Sequence, residues 1–228
     1  MMNDNILSIV LFGSYSRNDN DEASDLDLCV VTRESVGHDI NYEHINKLIA
    51  HFGSSSISLV SYPDSLISAM LDNGSLFLWH LKLEGQVLYG EDYFINKIKS
   101  LKPFTSHYEE VLYHAEMFEE INNCWKILNI PNELDLSILF TLTRNTCMVL
   151  SHWAGKPSFG RLDSFSSAKE IYPDLPMAIN EYIQLSRWKM LYERNHFTGF
   201  ILPSPEEYNN LLSKVGGVLT YALQRLRQ

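Results

Sequence analysis

The sequence predicts an α+β chain, a small mixed β-sheet domain followed by an all-α helical bundle, and two observations predict it. Two short apolar runs, Ile6 to Phe12 and Leu26 to Thr32, flank a turn rich in Gly, Ser and Asp. From Ser106 onward the apolar residues recur three and four apart, the stripe of an amphipathic helix. The first pattern belongs to buried strands and the second to helices packed on one another.

Ile6 to Phe12 (ILSIVLF) and Leu26 to Thr32 (LDLCVVT) each have the length and β-rich composition of a central strand. Between Asn41 and Phe52, Ile45, Leu48 and Ile49 keep helical spacing, and Ser56 to Ser61 then alternates as a third strand that Pro63 closes. A helix is predicted from about Asp64 to Leu83, with a break at Asn73-Gly74, before a turn at Glu84-Gly85 and a strand at Gln86 to Tyr89. Pro103 marks the domain boundary, giving domains at residues 1–103 and 104–228. Beyond it, Tyr108, Val111, Leu112, Ala115, Phe118, Ile121, Trp125 and Leu128 form one helical stripe. Further helices are read at about Asn132 to Trp153, Pro176 to Arg194 and Pro205 to Arg225, joined by short Gly- and Pro-containing connections that suit an antiparallel bundle.

Bulk properties narrow the function classes. A chain of 228 residues with 45% hydrophobic content can bury a core without covalent staples. Cys29, Cys124 and Cys147 are scattered in apolar stretches and read as reduced core thiols. The opening segment lacks a basic leader and no run is long enough to cross a membrane, so a soluble, cytoplasmic protein with no membrane partner is expected. A net charge of -10 repels a phosphate backbone, which makes extensive nucleic-acid binding unlikely.

The chemistry concentrates between the first two strands. Gly13 lets the backbone approach a phosphate without a Cβ in the way, and Ser14 adds a hydroxyl. Asp25 and Asp27 lie two apart at the opening of a strand, so both carboxylates project from one face and can share a cation. Triphosphate chemistry needs both parts, donors for phosphate oxygens and carboxylates for metal ions. A calcium loop starting at Asp19 is excluded, because the places that need Gly and Glu hold Ser24 and Val30.

Gly13-Ser14, ten intervening residues and then Asp25-x-Asp27 leading an apolar strand resembles the signature of polymerase-beta-type nucleotidyltransferases. Arg17 also matches the Gly-Ser-x-Ala/Ser-Arg pattern of the minimal members, and the likeness extends over about residues 6 to 92. The helical half is similar in outline to the substrate-binding bundles of antibiotic nucleotidyltransferases. The resemblance implies Mg²⁺ (or Mn²⁺) held by Asp25 and Asp27, and a nucleoside triphosphate, ATP foremost, bound by Gly13, Ser14, Arg17 and Ser24. The activity it implies is transfer of AMP to a hydroxyl of a small molecule or protein.

Members of that family place a third carboxylate on the next strand, and here the matching stretch Ile57-Ser58-Leu59-Val60 offers Ser58. A serine is no base at neutral pH. Three readings stay open: a shifted alignment in which Asp64 or Glu84 serves, an acceptor activated otherwise, or a nucleotide-binding regulatory, antitoxin-like module acting through a protein partner.

In the helical half, Arg144 falls on an apolar helix face, where a salt bridge or a phosphate contact would satisfy it. Arg187 and Arg194 share a polar sector with Asn180 and Gln184, which reads as a solvated face or a substrate contact. The Arg-x(4–6)-His pattern of HEPN-type ribonucleases is not met. Seven residues separate Arg144 from His152, which turns the histidine about 80° off the arginine's face.

Overall fold

The computed structural model describes residues 5–21, 24–33, 42–53, 56–193 and 201–227. The chain divides into two compact units, Met1–Thr105 and Ser106–Gln228.

The first unit is built on a four-stranded mixed sheet. Its strands are β1 (Ile6–Phe12), β2 (Leu26–Thr32), β3 (Ile57–Pro63) and β4 (Gln86–Tyr89), in the order β3-β2-β1-β4. β1 pairs antiparallel with β2, with Leu11 opposite Leu28 and Phe12 opposite Asp27. On its other side β1 pairs antiparallel with β4, Leu11 facing Gln86, whereas β3 runs parallel to β2 with Asp27 opposite Ser58.

The continuous apolar runs of β1 and β2 follow from burial on both faces. Val10, Cys29 and Val31 pack under α3 (Asp64–Asp72), α4 (Leu76–Glu84) and α5 (Glu91–Ile98), through Ile67, Leu71, Leu78, Leu81 and Phe94. Ile9, Leu11, Leu26, Leu28 and Val30 face the other way, against Ile45 and Ile49 of α2 (Tyr42–Ile49), which continues as a 3₁₀ turn at Ala50–Phe52. The helix predicted over Asp64 to Leu83 is thus two helices, parted at Asn73-Gly74. The residues from Gly13 form α1 (Gly13–Arg17), a single turn that directly follows β1, while the short α5 escaped the periodicity reading.

The second unit holds α6 (His107–Leu128), α7 (Glu133–Trp153), α8 (Asp163–Ile171), α9 (Ile179–Glu193) and α10 (Pro205–Leu226). α7 buries residues around its whole circumference, from Leu136 to Ser151, and packs against α6, α8, α9 and α10. A helix apolar all round belongs in the middle of a bundle. His107 Nε2, at the start of α6, lies 3.0 Å from His152 Nδ1, at the end of α7, so these two helices run antiparallel. The inner surface is aromatic: Tyr182 stacks on Phe165 with centroids 4.4 Å apart and lies 5.3 Å from Phe140.

Local sequence fixes the helix starts. Asn132 caps α7 by accepting from the Asp135 N–H at 2.8 Å, and Ser204 with Glu207 forms a capping box ahead of Pro205 on α10. Each such cap contributes about 1 kcal/mol.

Three expectations need correction. Cys29 and Cys147 are buried, but Cys124 is exposed, because it falls on the outer side of α6. Leu112 and Leu128 of the predicted stripe are exposed too, while His107 and His114 join Val111, Phe118, Ile121 and Trp125 in the buried face. The stretch expected to be a connection between α7 and α9 contains α8, whose polar DSFSSAKEI sequence carries few apolar markers.

Candidate functional site

At one edge of the sheet the C-terminal end of β1 meets the N-terminal ends of β2, β3 and β4. The sequence-predicted residues of the first unit gather there. Gly13 follows β1 with φ of +73°, a left-handed conformation that glycine adopts without steric cost. An added Cβ at this position would collide with the carboxylate of Asp27, so the absent side chain is what admits that group beside the turn.

Asp27 is the second residue of β2 and half-buried, and Asp25 lies just ahead of the strand, exposed. Residues two apart on extended chain share a face. That face is the one whose next members, Val10 and Phe12 on β1, Cys29 on β2 and Val60 on β3, pack toward the α3–α5 layer. Ser58, exposed and in register with Asp27, continues it on β3.

The other carboxylates considered from sequence are engaged by protein partners. Asp64 opens α3, six residues beyond Ser58 or about 20 Å along a strand, and pairs with Lys97 at 2.8 Å while accepting from the Tyr93 hydroxyl. Glu84 ends α4 and receives Arg17 Nη1 at 2.9 Å, with His80 Nε2 3.2 Å from the same oxygen. Burial opposes the charge on Glu84, yet the proximity of His80 and the hydrogen bond from Arg17 outweigh it and hold this carboxyl below the usual glutamate range.

Arg17 is thereby committed to protein partners, since its Nε also meets Asp19 Oδ2 at 3.1 Å. Burial works against the guanidinium, and the bonds to Glu84 and Asp19 raise its pKa overall. Ser24, buried, braces the loop before β2: its Oγ donates to Asp21 Oδ1 and accepts from the Asp21 N–H, both at 2.9 Å. Sequence reasoning treated Glu84 as a turn residue or a substitute base and overlooked His80. The signal was present in their four-residue spacing, which sets both on one side of a helix.

Two hard carboxylates on one face suit Mg²⁺, which keeps several waters and takes its other ligands from substrate phosphates. Among the described residues, no group of three or more His, Cys, Asp or Glu is disposed to hold a metal. The residues present fit a cation that arrives with a triphosphate.

In the second unit, Arg144 is half-buried and donates to the Phe159 carbonyl at 2.6 Å. Arg187 is exposed on α9, as a solvated face requires, and Arg194 lies outside the described residues. Among the described residues, no helix is long and apolar enough to cross a membrane.

Comparison with known proteins bears on the first unit. Residues 1–94 match the family model described as Polymerase beta, Nucleotidyltransferase. One solved structure, described as the crystal structure of the toxin-antitoxin with AMP-PNP, is 24% identical over 53% of this chain and 86% of that one, with a TM-score of 0.29. No curated protein matches. Residues 1–94 of this chain are therefore similar to polymerase beta-type nucleotidyltransferase domains.

Proposed function

We propose that the protein transfers a nucleoside monophosphate, AMP from ATP foremost, to a hydroxyl of a small molecule or a protein, releasing pyrophosphate. The observation that carries this reading is the juxtaposition at one sheet edge of Gly13, the Asp27 carboxylate it admits, and Asp25 two residues away, within the segment matched by the family model.

In this reading Asp25 and Asp27 hold Mg²⁺ or Mn²⁺, and Gly13 and Ser14 meet the triphosphate. The cation, when bound, neutralises charge on the phosphates and on the leaving pyrophosphate. Gly13 lets the main chain approach the phosphate oxygens, and Ser14 supplies a hydroxyl to them. Asp25, exposed, is open to the incoming metal and nucleotide, while Asp27 is fixed by its strand. Arg17 and Ser24 shape the turn and the loop around the nucleotide through their bonds to Glu84 and Asp21. Arg144 and Arg187 are the helical unit's candidates for acceptor contacts.

A second reading is favoured by one observation, the register that pairs Ser58 with Asp27. With a hydroxyl in place of a third carboxylate, the unit binds nucleotide without a base at residue 58 and acts through a protein partner as a regulatory, antitoxin-like module. Incubation with α-labelled ATP, CTP, GTP and UTP, Mg²⁺ or Mn²⁺ and a lysate tests the first reading. Label should pass to a lysate component with wild type and not with Asp25→Asn or Asp27→Asn. Transfer that survives both substitutions would refute the site. Magnesium-dependent binding of ATP with no transfer, joined to a gain of transfer in Ser58→Asp, would establish the second.

A further inference from the structure

α1 is a helix of five residues, far below the length at which a helix holds itself in water. It nevertheless carries Gly13 and Ser14, so something outside it must set its shape. Its first residue is fixed by β1. At its last turn the Arg17 side chain lies 2.9 Å from Glu84 Oε2, and Ser16 Oγ donates to the Glu84 main-chain carbonyl. Side chain and backbone of one residue, Glu84, therefore receive two successive residues of α1.

Glu84 is itself held. His80, one turn earlier on α4 and buried, reaches the same carboxylate oxygen at 3.2 Å, and its ring stands edge-on to Phe12, the residue just before Gly13, with centroids 5.6 Å apart. Phe12 also packs edge-on against Phe77 at 5.4 Å. Arg17 and Glu84 retain only 18% and 19% of their side-chain exposure, so water competes poorly for the pair. Such a pair holds its geometry better than an ion pair on an open surface.

We propose that Glu84 is a positioning residue for the triphosphate: by anchoring Ser16 and Arg17 it fixes the Gly13–Ser14 turn, and Arg17 acts as a strut to α4 rather than as a phosphate ligand. The inference rests on the nucleotide-binding reading of the Gly13, Asp25 and Asp27 edge. Its physical basis is that a phosphate-binding turn contributes only when held in its productive geometry, and small displacements of such groups cost about 10²-fold in function.

A double-mutant cycle on the full-length protein tests it, with Mg²⁺–ATP binding followed by calorimetry. Glu84→Gln and Arg17→Met should each weaken binding about tenfold, the scale of one charge-assisted hydrogen bond. The double variant should bind no more weakly than the poorer single one. If the losses multiply to about 100-fold, Arg17 touches phosphate independently of Glu84 and the inference is overturned. Unchanged or tighter binding by Glu84→Gln overturns it as well.

Hydrogen exchange on the nucleotide-free protein supplies a second readout. Amides of residues 14–18 should exchange faster in Glu84→Gln and in the milder Ser16→Ala, and Glu84→Asp should restore part of the protection. Unaltered exchange in both would refute the anchor whether or not nucleotide binds. If wild type and Asp27→Asn bind Mg²⁺–ATP alike, or neither binds, the reading of the site fails instead, and the exchange result still stands for the anchor.

Discussion

Replacing Gly13 by alanine tests the central contact of the site, and its cost divides into two parts. The φ of +73° places any side-chain-bearing residue in the left-handed region, which costs about 1–2 kcal/mol. The added Cβ would also collide with the Asp27 carboxylate, an overpacking term of about 1–3 kcal/mol. Gly53 separates the two: its φ is +69°, and a Cβ there would meet nothing within 4 Å among the described residues. Gly53→Ala should therefore show the backbone part alone. Protection of the β1 and β2 amides from hydrogen exchange reports the opening free energy of the first unit without mixing in the helical one. Gly13→Ala should lower it by about 2–5 kcal/mol, against about 1–2 kcal/mol for Gly53→Ala. In an Asp27→Ala background the Gly13→Ala cost should shrink toward the Gly53 value, a coupling of about 1–3 kcal/mol. Equal costs at the two glycines, or strict additivity with Asp27→Ala, would show that Gly13 does not admit the carboxylate.

Other outcomes follow from the same structure. His114 is buried on α6 beside Thr146 Oγ1 at 3.0 Å, and burial pushes its pKa down to about 4. The folded state then binds fewer protons than the unfolded one, so this contribution is complete above about pH 6.5 and falls as pH drops toward 4, by at most about 3 kcal/mol. An NMR titration of His114 with a midpoint near 6.5 would refute this account. Ser204→Ala removes the oxygen that accepts from the Glu207 N–H and should destabilise α10 by about 1 kcal/mol, read as a lowered denaturation midpoint of the helical unit. Chelation by EDTA should abolish ATP binding while leaving the far-ultraviolet circular dichroism unchanged, since the fold is held by the two apolar layers of its sheet and not by the metal site.

What the sequence disclosed depends on how each feature is encoded. β1 and β2 were legible because burial on both faces turns them into unbroken apolar runs, and α7 because it is apolar on every side. The Gly13, Asp25 and Asp27 edge was legible because it is local, carried by one strand-turn-strand segment. α8 was hidden because its buried positions include Ser164, which carries no apolar signal. The partners of Arg17 and Arg144 were hidden for a different reason. Glu84 lies 67 residues from Arg17 in the chain, and Phe159 receives Arg144 through a backbone carbonyl that any residue would offer. Register is intermediate: the strand that carries Ser58 can be read, but its pairing with Asp27 is decided by tertiary contact.

The strand order has a consequence for synthesis. β1 pairs with β2 through a short connection, so a growing chain forms that hairpin early. The outer edge of β1, however, is covered by β4, whose residues follow α3 and α4. Until Gln86–Tyr89 emerges from the ribosome, β1 offers unpaired main-chain groups and bare apolar side chains to neighbouring nascent chains. Slow translation across the α3–α4 stretch would lengthen that exposure, and binding of a chaperone to the β1 edge would shorten it.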